Sequence, residues 1–106
     1  MPERPPFFNI MIEHTVTFRL KHSQGSPEEK AFLAEAANLA AIPVVAYFLI
    51  RRQTSPKLDH PYGISMWFAN RADYEAYNVH PAHLDFIEKR WLNEVASFQE
   101  ADFEVL

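Results

Sequence analysis

The stretch Ile10-Met11-Ile12-Glu13-His14-Thr15-Val16-Thr17-Phe18-Arg19-Leu20 alternates at every position. Ile10, Ile12, His14, Val16, Phe18 and Leu20 fall on one face, and Met11, Glu13, Thr15, Thr17 and Arg19 on the other. Period two held over this length predicts a strand buried on one side. The expected core face carries a single polar side chain, His14.

Working outward, Gly25 and Ser26-Pro27 close a loop and open a helix. Ser26 suits an N-cap, Pro27 the first helical position and Glu29 the returning carboxylate of a capping box. Phe32, Leu33, Ala36, Leu39 and Ala40 form one apolar stripe, which places this helix at 27–41. Pro43 blocks its continuation. The run Val44-Val45-Ala46-Tyr47-Phe48-Leu49-Ile50 has no alternation and reads as a strand covered on both faces. Residues 53–61, with Pro56 and Pro61, read as a loop. Tyr62, Ile64, Met66 and Phe68 alternate with Gly63, Ser65, Trp67 and Ala69 in a third strand over 62–69. Asn70 and Asp73 cap a short helix to Tyr77. His80-Pro81 restarts it with Leu84, Ile87, Trp91 and Val95 as the apolar face, and 98–106 reads as a last strand.

The predicted order is β-α-β-β-α-β, an α+β, ferredoxin-like protomer with an antiparallel four-stranded sheet and its helices on one face. The other face keeps Trp67 and side chains around Tyr47, an apolar surface of the kind that marks an interface. A second copy laid sheet to sheet covers it, so a homodimer is expected.

Composition removes whole classes of function. The 106 residues form one domain, 48% hydrophobic and 23% charged, with a net charge of −4. An acidic chain lacks the clustered positive field that nucleic acid or an anionic membrane needs, so neither is an expected partner. Absence of cysteine excludes disulfides, thiol nucleophiles and Fe–S clusters. Two glycines, Gly25 and Gly63, cannot build a phosphate loop or dinucleotide fingerprint, and no cofactor is expected. No apolar run reaches the roughly 18 residues of a membrane span, and the start Met1-Pro2-Glu3-Arg4-Pro5-Pro6 has no apolar signal core. The expected location is the cytoplasm.

Candidate chemistry gathers in Tyr77-Asn78-Val79-His80-Pro81-Ala82-His83, where two histidines titrate near neutrality. His80, before a proline, reads either as a cap or as a functional group. His83 lies at the edge of the apolar stripe, where its ring can reach the rim of a pocket. His14 reads either as a neutral core histidine or as a polar wall of a cavity between sheet and helices. Phe68 and Trp91 are the expected apolar walls. A metal set of His80, His83 and Asp85, completed by His14 or His60, lacks the spacing of a zinc helix, and no metal is expected. No Gly-x-Ser-x-Gly elbow is present for hydrolase chemistry. Tyr62-Gly63-Ile64-Ser65-Met66-Trp67-Phe68 lacks the leading basic residue of an RNA-binding strand.

Two motifs carry a family resemblance. Met11 to Phe18, with its His-x-Val-x-Phe core, and Tyr77 to His83, as Tyr-x-x-His-Pro-x-His, are similar to the stress-responsive α/β-barrel (Dabb) domain of the dimeric α+β barrel group. The likeness covers residues 11–105, so 1–10 reads as an N-terminal extension to a domain at 11–106, with Met11 as an alternative start. Phe7 and Phe8 then need an apolar site, for which the partner subunit is a candidate. The resemblance implies a face-to-face dimer whose sheets close a barrel. In a plant polyketide cyclase of this family the motif's tyrosine and last histidine are catalytic and the first-strand histidine lines the pocket. These positions are Tyr77, His83 and His14 here. Tyr62 stands where the cyclase has a further pocket histidine, and is expected to contact ligand. The implied function is a homodimer that binds a small hydrophobic molecule, with His83 as base and Tyr77 as its partner. The alternative is a non-catalytic dimerisation or stability module with structural histidines, and the barrel group also contains small monooxygenases.

Overall fold

The computed structural model describes residues 11–106; Ile10 and the expected extension with Phe7 and Phe8 lie outside them. Strand β1 (Ile12–Leu20) buries Ile12, His14, Val16, Phe18 and Leu20, as its alternation requires. Met11, expected on the opposite face, precedes the strand and is buried, since it is not bound by the ladder's alternation.

Helix α1 (Pro27–Ala37) starts as the sequence reads: the Ser26 hydroxyl accepts the Glu29 amide at 3.2 Å. The Glu29 carboxylate returns to the Gly25 amide at 3.0 Å, one residue beyond the expected cap. The helix tightens into a 3-10 turn (Asn38–Ala41) before Pro43, and Ala40 leaves the buried stripe, because a three-residue repeat rotates it toward water.

Strand β2 (Ala46–Arg52) begins later than expected, since Val44 and Val45 complete a turn closed by the Val45 amide on the Ile42 carbonyl. Pairing with β3 (Tyr62–Phe68) slips between Ala46 and Leu49, where four β2 residues oppose three. Tyr47 takes the extra place with φ 52°, and its side chain is 63% exposed.

Helix α2 (Arg71–Asn78) is capped by the Asn70 side chain, which accepts the Asp73 amide at 2.9 Å. Helix α3 (Pro81–Phe86) runs into a π-helical turn (Ile87–Trp91) and a last turn, α4 (Leu92–Glu94). Of the expected apolar face, Trp91 is in the core and Ile87 and Val95 pack against it, and only Leu84 is corrected here. Leu84 is 52% exposed, while Phe86 and Trp91 are buried. A π-turn aligns residues five apart, so the i, i+3, i+7 pattern selected the wrong side of α3. Val95 opens β4 (Val95–Phe103), which begins three residues earlier than the expected strand at 98–106 because it pairs along the length of β1.

The sheet is antiparallel in the order β2-β3-β1-β4, with helices over one face. Phe18, Phe32, Phe68 and Met66 are its most completely buried large side chains. Among the described residues no helix is long and apolar enough to cross a membrane.

Candidate functional site

The junction of α2 and α3 places two of the candidates. His80 is extended, and its Nδ1 accepts the Ala82 amide at 3.1 Å, so the ring caps α3 ahead of Pro81. The sharp turn brings Tyr77, at the end of α2, against His83, in the first turn of α3. Their ring centroids lie 4.3 Å apart at 41°. His83 Nδ1 donates to the Asn78 carbonyl at 3.1 Å, since a carbonyl only accepts. Its Nε2 therefore holds the lone pair.

The third candidate comes from the sheet. His14, 8% exposed, is the third residue of β1, and its ring centroid lies 6.3 Å from that of Tyr77. Its Nδ1 is 2.7 Å from Asp102 Oδ1 and 2.8 Å from the Tyr74 hydroxyl oxygen, while Tyr74 donates to Asp102 Oδ2 at 2.9 Å. Because the one hydroxyl proton of Tyr74 goes to the carboxylate, both oxygens facing Nδ1 are acceptors. In the neutral ring the network assigns the proton to Nδ1 and the lone pair to Nε2.

His14, Tyr77 and His83 line one cleft between sheet and helices, with about 410 Å³ of space including its mouth. Val16, Ile64 and Met66 of the sheet form its floor, and Phe86, Ile87 and Trp91 its helical wall. Glu100 is the fourth polar lining group. A few polar groups set among apolar walls are the kind of lining that orients a small organic ligand. Burial lowers the His83 pKa, aided by the nearby His14 and His80 and opposed by the Asn78 bond and Glu100, so the ring favours its neutral form. Burial, then the Glu100 charge, pushes the Tyr77 hydroxyl far above its ordinary range. It stays protonated, able to donate.

Two expected ligand contacts lie elsewhere. Phe68 is fully buried, stacked on Tyr74 at 4.9 Å and tilted against Tyr77 at 5.2 Å, so it backs the site and does not line it. Tyr62 sits at the other end of β3, roughly 20 Å from Phe68 along an extended strand, with its ring against Phe18 at 5.7 Å. It borders a separate surface hollow with Arg19 and Glu29. Trp91 does line the cleft. Among the described residues no three His, Asp or Glu side chains come together to hold a metal ion. Asp85 instead pairs with Lys89 at 2.7 Å.

The family model of the stress-responsive A/B barrel domain, Dabb, matches residues 12–105. The chain belongs to this family. It is 49% identical to a Dabb-family protein with a ferredoxin-like fold from Mesorhizobium loti, over 91% of this chain and 97% of that one, at a TM-score of 0.89. A hydroxynitrile lyase from Passiflora edulis shares the fold at 15% identity, covering 92% and 95% of the two chains, with a TM-score of 0.78. A dimeric ferredoxin-like protein from Thermobifida fusca does so at 18% identity, covering 99% and 100%, with a TM-score of 0.75. No curated protein matches the chain.

This Dabb site contains three residues that the sequence reading passed over. Tyr74 lies three before Tyr77, a helical spacing that would have flagged it as sharing a face. Glu100 and Asp102 carried no such signal, because acidic side chains at alternate positions read as a solvent face. The register of β4 on β1 turns them inward instead, opposite Val16 and His14.

Proposed function

We propose that this Dabb chain is a homodimer whose protomers each bind a small, largely apolar molecule, with acid–base capacity at Tyr77, His83 and His14. The convergence of these three side chains on one apolar cleft carries the reading. In it, His83 Nε2 takes a proton from the ligand, and the Tyr77 hydroxyl donates to the oxygen on which charge grows. The neutral state of His83 supports the base role, because a protonated ring has no lone pair to accept with.

Self-association is supported by the open face of the sheet, where Leu49 on β2 and Phe103 on β4 are 50% and 54% exposed. The fold likeness to a protein described as dimeric agrees with this. A non-catalytic module is the second reading, supported by the internal bonds of the histidines. All five spend a ring nitrogen within the protein.

His83→Ala separates the readings. Under the first, the variant stays dimeric by sedimentation, keeps its fold and loses turnover of a carbonyl substrate that the wild type converts. Loss of the dimer or of the fold in this variant gives the histidine a structural role and overturns the first.

A further inference from the structure

We propose that the cleft selects uncharged molecules that carry a hydroxyl and turns away carboxylates, with Glu100 setting that preference. The inference rests on the reading that the cleft binds a small apolar ligand, and it deepens that reading by naming the ligand's polar end.

The hydrogen-bond inventory supplies the first half. Both cleft imidazoles spend their N–H inside the protein, His14 on Asp102 and His83 on Asn78. In its neutral form each therefore keeps Nε2 as an acceptor. The donors among the lining residues are the Tyr77 hydroxyl and the Trp91 indole N–H, and no lysine or arginine contributes to the lining. With the Glu100 carboxylate as a third acceptor, this lining complements a group that donates as well as accepts, as a hydroxyl does. A carboxylate accepts only, and would meet two lone pairs.

Charge supplies the second half. Glu100 lies opposite Val16 on the helix-covered face of the sheet, two residues from Asp102, and lines the cleft. Asp102 is engaged with His14 and Tyr74, whereas Glu100 has no ion-pair partner among the described residues. A ligand carboxylate would sit beside a negative charge that no cation of the lining compensates, and like charges repel.

Three probes sharing one apolar body test this: cyclohexylmethanol, its methyl ether, and cyclohexanecarboxylate. Their binding to the full chain is followed by calorimetry and by the Trp91 indole resonance at about pH 7.5, where the acid is ionised. The alcohol is expected to bind best, the ether more weakly and the carboxylate most weakly. Glu100→Gln is expected to raise carboxylate binding relative to alcohol binding by about tenfold or more. Wild-type binding of the carboxylate as tight as that of the alcohol overturns the selection while leaving the cleft as a binding site. An unchanged ratio in Glu100→Gln overturns the role of Glu100. If none of the probes moves the Trp91 resonance, the binding reading falls and this inference with it.

Discussion

His14 and Asp102 stand directly opposite each other on the paired strands β1 and β4, with Nδ1 2.7 Å from Oδ1, although 88 residues separate them in the chain. The carboxylate holds the imidazole by a charge-assisted bond, and Tyr74 braces both. Asp102→Asn keeps the shape and removes the charge. An amide can also donate to Nδ1, which frees the proton to move to Nε2. Nitrogen chemical shifts of the His14 ring are expected to show Nδ1–H in the wild type and a mixture in the variant. The Asp102 side chain is 37% exposed, so the stability lost in urea unfolding should be modest, about 1 kcal/mol.

The burial that keeps His83 neutral also ties stability to pH. Its pKa is lowered from the ordinary 6.5, with desolvation the leading cause. In the window below 6.5 and above the folded value, the unfolded chain binds a proton that the folded chain does not. His83 therefore contributes stability that is present above 6.5 and is lost as pH falls through the folded value. An NMR titration should give His83 a midpoint below 6.5, and His83→Asn should flatten this part of the stability profile. A midpoint above 6.5 would refute both.

Tyr47 adopts φ 52° without being glycine, and its side chain is 63% exposed. For an L-residue the left-handed region costs roughly 1–2 kcal/mol, and glycine escapes it. Among the described residues none buries this side chain, so it is expected to serve the partner. Tyr47→Gly should leave the protomer's unfolding free energy unchanged or up to about 1 kcal/mol higher, while raising the dimer dissociation constant in sedimentation. Unchanged dissociation would remove Tyr47 from the interface.

The π-turn makes a sharp contrast between two neighbours on α3. Phe86 is 7% exposed and packs on Phe32 at 5.4 Å between ring centroids, while Leu84 is 52% exposed. Phe86→Ala should cost about 3–5 kcal/mol, and Leu84→Ala less than about 0.5 kcal/mol. A larger loss for Leu84→Ala than for Phe86→Ala in urea unfolding would show that the helix continues without the extra residue.

What the sequence determined by itself is the part written in short-range chemistry. Alternation from Ile12 to Leu20 is enough to name β1 and its buried face, because a strand's side chains obey a period of two whatever they pack against. Ser26 and Asn70 mark their helix starts, since a cap bond spans only three residues. Tyr77 and His83 meet across one helix junction, six positions apart, so their pairing was legible in the motif that contains both. The tertiary structure alone decided the rest. Asp102 holds His14 only because β4 pairs with β1 in that register; shifted by one residue, its side chain would face the other side of the sheet. Glu100 turns from a solvent-facing acid into a cleft wall for the same reason. Tyr62 and Phe68 share a face of β3, yet stand at opposite ends of it, and that separation keeps Tyr62 out of the site. The slip at Tyr47 and the π-turn before Trp91 each insert a single residue into a regular repeat. A periodic reading runs through such places unbroken, because the reason for the insertion is the packing of distant side chains and not the local pattern.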